Sequence, residues 1–337
     1  MKRSNRLAVI ALIAWIMLVF AIGHESLARD IEETESKSFA VKRGQLFSLK
    51  SDLGSVEVTS WSQNELKVTV VKRADTNSKN RAMEIFEDLE LTFDQNSDGV
   101  RVVAQYHGPK SWWSAGRRLK LHFDIQVPRE FNLDIRTEGG SIEVSDLAGN
   151  AELHTSGGSI TASHIDGSTL ARTSGGSINI HQARGPVVAK TSGGSITIEE
   201  ATGTVEARTS GGTINLNQIV GDTEAHTSGG SLNLKNLSGN ITASTSGGSI
   251  YAELNGPINQ DCSLRTSGGS IRVFLPVSSS IDLDAHTSGG RVETDLPITV
   301  RGIIKSNSIQ GKINNGGPLL TLRTSGGSIY IKAMQSK

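Results

Sequence analysis

Thr191-Ser192-Gly193-Gly194-Ser195-Ile196-Thr197-Ile198-Glu199-Glu200-Ala201-Thr202-Gly203-Thr204-Val205-Glu206-Ala207-Arg208 is one copy of a unit that recurs through most of the chain. Apolar residues sit at Ile196 and Ile198, at Ala201, and at Val205 and Ala207, with Gly203 between the last two groups. That is the pattern of two short half-buried strands separated by turns. Thr-Ser-Gly-Gly begins at Thr155, Thr173, Thr191, Thr209, Thr227 and Thr245, each eighteen residues after the last, and Thr137-Glu138-Gly139-Gly140 fits one step earlier. The interval lengthens to twenty-one at Thr266 and Thr287, the pattern blurs from Ser308 to Ile313, and the motif returns at Thr324.

A unit this short cannot bury its apolar face alone, whereas stacking on identical neighbours buries it through the whole array. The fold class expected is therefore all-β: a single-chain β-solenoid of roughly 18-residue rungs over residues 136–333. Ile142, Ile160, Ile178, Ile196, Ile214, Leu232 and Ile250 hold equivalent places and should form one buried file. At about 4.8 Å per rung, some eleven or twelve coils make a rod on the order of 55 Å long. The Gly-Gly pair is expected where the backbone needs a positive φ or where the next rung approaches closely.

Residues 37–135 are less regular. Val56 to Val58, Leu66 to Val71, Leu89 to Phe93, Val100 to Gln105 and Leu119 to Val127 read as strands. One short helix is expected from Ser78, an N-cap residue type, to about Asp88, with Ala82, Ile85 and Leu89 on its apolar face. Ser51-Asp52-Leu53-Gly54-Ser55-Val56-Glu57-Val58 has the form of a decayed rung. The region thus reads as a widened start of the solenoid that covers its edge against aggregation.

The composition agrees with thin stacked layers: aromatic residues are 4% of the 337 residues, and glycine accounts for 37 of them. Lys and Arg number 34 and Asp and Glu 34, so no global charge points to nucleic acid or an anionic membrane. The single cysteine, Cys262, cannot form an internal disulfide and reads as a small buried hydrophobe. Lys2, Arg3 and Arg6 precede an apolar stretch from Leu7 to Gly23, and Ser26-Leu27-Ala28 offers small residues to a signal peptidase. Residues 1–28 are expected to be either a cleaved signal peptide or an uncleaved membrane anchor, and the chain to be exported to the periplasm or cell surface.

Val127-Pro128, Asn132-Leu133-Asp134-Ile135 and then Thr137-Glu138-Gly139-Gly140-Ser141-Ile142-Glu143-Val144-Ser145-Asp146-Leu147-Ala148-Gly149 carry a resemblance. They resemble the bacterial "putative adhesin" family of β-strand-repeat envelope proteins, a domain of unknown function, from about Phe39 to the C-terminus. The resemblance implies a β-helical fold and an envelope location, and it brings no catalytic residue with it.

The residue before each repeat threonine is Arg136, His154, Arg172, Lys190, Arg208, His226, Ser244, Arg265, His286 and Arg323. Stacking should align them in one ladder, and alternation turns them outward if the flanking alanines face inward. Such a row suits a polyanion held by many weak contacts. It equally suits a solvated face that prevents sheet-to-sheet association, helped by Glu206 and Glu224. A second candidate is the loop Lys110-Ser111-Trp112-Trp113-Ser114-Ala115-Gly116-Arg117-Arg118, in which Trp112, Trp113, Arg117 and Arg118 suit an interface or a lid on the first rung.

No rung reliably supplies the paired carboxylates that hydrolase or lyase chemistry needs, so no catalytic residue is expected. Ser or Thr follows most Gly-Gly pairs where calcium-binding solenoids carry Asp, and His164 and His181 lack a third ligand, so neither metal nor cofactor is expected. The functional expectation is a non-enzymatic envelope protein whose rigid solenoid displays a binding or adhesion surface to an envelope polymer or envelope protein. A membrane-tethered regulatory or assembly partner is the alternative, and an enzyme acting on polysaccharide comes third.

Overall fold

The repeat builds a two-sheet β-solenoid, seen in a computed structural model that describes residues 30–108, 119–255, 258–300 and 305–334. Each rung contributes one strand to either sheet. In the quoted unit, Ile196–Thr202 lies in the sheet that carries the isoleucine file, here the isoleucine sheet. Val205–Arg208 lies in the other, the arginine sheet. Twelve parallel strands stack in each sheet, so the described residues form twelve rungs.

The apolar file keeps its register from rung to rung, and the one shift in the repeat falls after Leu234. Ile142, Ile160, Ile178, Ile196, Ile214, Leu232 and Ile250 pair successively as one file, and every one of them is at most 1% exposed. Between Ile198 and Ala201 the apolar spacing changes from two to three, and the chain accommodates it at Glu200, whose φ is +58°. Asp146, His164, Gln182, Gln218 and Asn236 repeat this left-handed step, which leaves two consecutive residues exposed and returns the third to the core. Gly203, at φ +131°, then turns the chain into the arginine sheet.

The Thr-Ser-Gly-Gly corner closes the rung for a reason only half visible in the sequence. Thr191 is 8% exposed; its Oγ1 donates to the Gly176 carbonyl of the preceding rung at 2.8 Å and accepts from the Gly194 amide at 3.4 Å. The equivalent bonds recur at Thr155, Thr173, Thr209, Thr227, Thr245, Thr266, Thr287 and Thr324. The corner glycines do not carry the positive φ that one of the two expectations required. Close approach explains them instead, and unequally. A Cβ on Gly194 would lie 2.0 Å from the Gly176 carbonyl oxygen, whereas one on Gly193 would meet its nearest atom at 3.4 Å.

Both ends depart from chain order. Leu46–Ser51 and Ser55–Trp61 form a complete rung against the first repeat, with Ser51 beside Thr137 and Val56 beside Ile142. Gly99–Tyr106 and Leu119–Pro128 form a further rung outside it. Antiparallel strands then cover this end: Glu65–Asp75 and Asp30–Ala40 on the isoleucine sheet, Leu89–Gln95 on the arginine sheet. Asp30–Ala40 escaped the sequence reading because an edge strand with little to bury has no apolar alternation. The helix runs Lys79–Glu87 from an N-cap at Ser78. Its buried face is Ala82, Ile85 and Phe86 instead of Leu89, because Asp88 ends the helix and Leu89 opens the next strand.

At the C-terminal end the last rung in sequence, Leu319–Thr324 with Ile329–Ala333, is intercalated. It pairs with Cys262–Thr266 and Ile271–Leu275 on one side, and with Ile281–Thr287 and Val292–Thr294 on the other. The chain leaves one rung empty, lays down the outer rung, covers it with antiparallel Ser308–Ile313 and Ile298–Val300, and returns to fill the gap. Cys262 is 2% exposed inside this end, and burial pushes its thiol pKa up, as a small core residue requires.

Two outcomes follow from this geometry. Gly194→Ala should lower thermal stability far more than Gly193→Ala, because only the former drives a Cβ into a carbonyl; equal melting temperatures would contradict the close-approach account. Deleting residues 319–337 should strip amide-exchange protection from residues 281–313 as well, while residues 142–254 keep theirs. Retained protection at 281–313 would show that the outer rung does not depend on the intercalated one.

Candidate polyanion-binding face

The outward residues of the arginine sheet form two adjacent files. The first is the basic ladder: Arg136, His154, Arg172, Lys190, Arg208, His226, Ser244, Arg265, Arg323 and His286 are successive register neighbours. His286 and Arg323 exchange places relative to the chain because the last rung is intercalated. Lys50 extends the ladder beyond Arg136. Sequence reading missed it, although the signal was available in the decayed rung, where Ser51 stands in the place of the repeat threonine.

The second file lies two residues upstream on each strand: Asp134, Glu152, Leu170, Val188, Glu206, Glu224, Thr242, Ser263, Thr321 and Asp284. It is acidic at both ends of this series and in the middle, and it neutralises much of the ladder. Arg136 contacts Asp134 and Glu152, each at 2.8 Å, and the Asp134 hydrogen bond raises the guanidinium pKa. His154 Nε2 lies 2.9 Å from Glu152. Glu206 receives Lys190 at 2.7 Å and Arg208 at 2.8 Å, and the Lys190 hydrogen bond holds its carboxyl below the usual range. Asp284 is bound by Arg323; burial alone would raise its pKa, but hydrogen bonds from Arg323 and Gln310 bring it below the ordinary value.

The acid file is interrupted at Leu170 and Val188, and again at Thr242, Ser263 and Thr321, where Arg265 meets a serine; the first gap falls beside Arg172. Arg172 is exposed and has no carboxylate within ion-pair distance among the described residues; Glu206 senses it only at longer range. Lys50, two rungs beyond His154, is likewise exposed and without an ion pair among the described residues. Between them lies a shallow trough of about 330 Å³ bounded by Lys50, Arg136, His154 and Arg172, with Asp52 and Glu138 at its margin. Thr137, Thr155 and Thr173 also line it, at the corner. At the other end of the ladder, Arg265 bonds to Ser263 at 3.0 Å and His226 to Ser244 at 2.7 Å.

Such a face can hold an extended anion by distributed contacts, strongest where cations lack internal partners. Among the described residues, no three His, Cys, Asp or Glu side chains are placed to hold a metal. No helix among them is long and apolar enough to cross a membrane. Trp112, Trp113, Arg117 and Arg118 lie outside the described residues, as does the Leu7–Gly23 segment.

Three solved structures resemble the chain over 90% of its length. They are a putative cell adhesion protein from Clostridium sporogenes (12% identity, all of that chain, TM-score 0.24), a putative adhesin from Bacteroides fragilis (13%, 97%, 0.31) and a putative adhesin from Parabacteroides distasonis (10%, 97%, 0.35). At these scores they add no argument to the geometry. No curated protein matches the sequence significantly. The profile of one family, Toastrack DUF4097, matches residues 46–332, which include eleven of the twelve rungs whole and all of the intercalated one but Ala333. With that match over most of its length, the chain belongs to the Toastrack DUF4097 family.

Proposed function

We propose that this protein is a non-enzymatic envelope or surface protein, in which the solenoid displays its arginine sheet to an anionic envelope polymer. The observation that carries the reading is the gap in the acid file at Leu170 and Val188, which leaves Arg172 exposed without an internal carboxylate partner beside a trough shared with Lys50. A face serving only to keep sheets apart needs no such concentration of unpaired charge, since alternating ion pairs already suffice. Delivery to the envelope rests on the Leu7–Gly23 segment of the sequence.

Replacing Lys50, Arg172 and Lys190 together by Gln should weaken binding of long-chain inorganic polyphosphate and flatten its salt dependence. Each single change should have a smaller effect, and the melting temperature should move little for Lys50→Gln and Arg172→Gln, whose exposed charges contribute little stability, and more for Lys190→Gln, which loses the Glu206 pair. A triple variant that binds polyphosphate as the parent does would overturn the assignment.

Acid should act in two opposed ways. Glu206 and Asp284 have folded pKa values below the ordinary 4.5 and 3.8. The stability they contribute is therefore complete above those ordinary values and is lost as pH falls through the depressed ones. Over the same window their protonation frees Lys190, Arg208 and Arg323, so polyphosphate binding should tighten as thermal stability falls. Glu206→Gln should tighten binding already at neutral pH; an unchanged affinity would show that the acid file does not limit access to the ladder.

A further inference from the structure

From Asn132 to the C-terminus the chain contains three aromatic residues, Tyr251, Phe274 and Tyr330. All three are half-exposed, and all project from the outer side of the isoleucine sheet on three successive rungs. In the sequence Tyr330 lies 79 residues beyond Tyr251. Intercalation of the last rung closes that interval and sets Arg272 directly between the two tyrosines. Tyr251 and Phe274 have ring centroids 5.2 Å apart, Arg272 lies 5.5 Å from the Tyr330 centroid, and Lys235 lies 5.8 Å from that of Tyr251. On earlier rungs the place held by Tyr251 and Tyr330 carries Glu143, Thr161, Asn179, Thr197, Asn215 and Asn233, so the tyrosines are a departure from the repeat and not a copy of it.

The chemistry of the cluster is specific. Tyr251 donates its hydroxyl hydrogen bond to Glu253, which fixes the ring and, with burial, pushes its pKa up to about 12. Lys332 is paired with Asp295 at 3.0 Å. Lys235 lies over the Tyr251 ring and Arg272 over the Tyr330 ring, and neither has a carboxylate within ion-pair distance among the described residues. Aromatic faces set on a flat, rigid sheet suit the C–H faces of pyranose rings, and an adjacent guanidinium suits a carboxylate. Cross-strand aromatic pairing can also strengthen a sheet, but that role does not call for a guanidinium without a carboxylate partner between the two tyrosines.

We infer that this patch is a second, separate binding site, for an acidic glycan of the uronic-acid class, with Tyr251 and Tyr330 stacking on sugar rings and Arg272 pairing with a carboxylate between them. It stands independently of the arginine sheet, which recognises charge alone. The test is calorimetric or NMR titration of the chain with a short oligogalacturonate and, separately, with polyphosphate of matched charge. Tyr251→Ala combined with Tyr330→Ala should weaken oligogalacturonate at least tenfold and leave polyphosphate unchanged. Arg272→Gln, which spares the rings and thus the packing, should do the same, whereas Lys50→Gln with Arg172→Gln should show the reverse pattern. Absence of oligogalacturonate binding to the parent, or equal binding by the parent and Arg272→Gln, would overturn the inference without touching the polyphosphate result.

Discussion

Everything in this molecule depends on how closely one rung can sit on the next at the Thr-Ser-Gly-Gly corner. The Thr191 hydroxyl reaches back to the Gly176 carbonyl while Gly194 passes over the same carbonyl with no room for a side chain. Repeated at each corner, this contact holds the rungs in one register, so that isoleucine stacks on isoleucine and each outward residue on its counterpart. A buried hydroxyl that both donates and accepts leaves little unsatisfied, and it does so at the point where the chain must turn. The flat outer faces are a consequence: side chains far apart in sequence become neighbours about 4.8 Å apart.

Because stacking converts period into proximity, surface chemistry is set by which residue each rung places in a file. On the arginine sheet the files are mixed, and the physical distinction lies in where they fall out of step: Leu170 and Val188 replace carboxylates beside cations that continue uninterrupted. On the isoleucine sheet the distinction is the reverse, three aromatics entering outward files otherwise filled with polar and charged residues. In both places a break in repetition, and not the repetition itself, marks the part of the surface with distinct chemistry. The rigid stack supplies the spacing in each case.

Much of the fold was legible in the sequence because the eighteen-residue period and the apolar spacing of two, two and three act locally on every rung. The Ile142 to Ile250 file, the inward threonines and the Ser78 cap all follow from such local rules. The glycine corner was legible as a necessity but not in its asymmetry, since the 2.0 Å approach at Gly194 is set by the neighbouring rung. Rung order was not legible. Thr324 carries the same motif as Thr266, and nothing in the motif says that Leu319–Thr324 returns between Cys262–Thr266 and Ile281–Thr287. For that reason the ladder was read in chain order at Arg323 and His286, and the juxtaposition of Arg272 with Tyr330 was out of reach.

The central claim is that stacking order, including the intercalated last rung, defines the surfaces. Paired cysteines in a Cys262→Ala background test it directly, because a disulfide cannot span Cα atoms more than about 7 Å apart, whereas adjacent rungs lie about 4.8 Å apart and alternate rungs about twice that. Arg272→Cys with Tyr330→Cys should oxidise readily to an intramolecular disulfide, and Arg272→Cys with Glu293→Cys should not. Efficient linkage of 272 to 293 and none of 272 to 330 would mean that the rungs stack in chain order and would contradict the account.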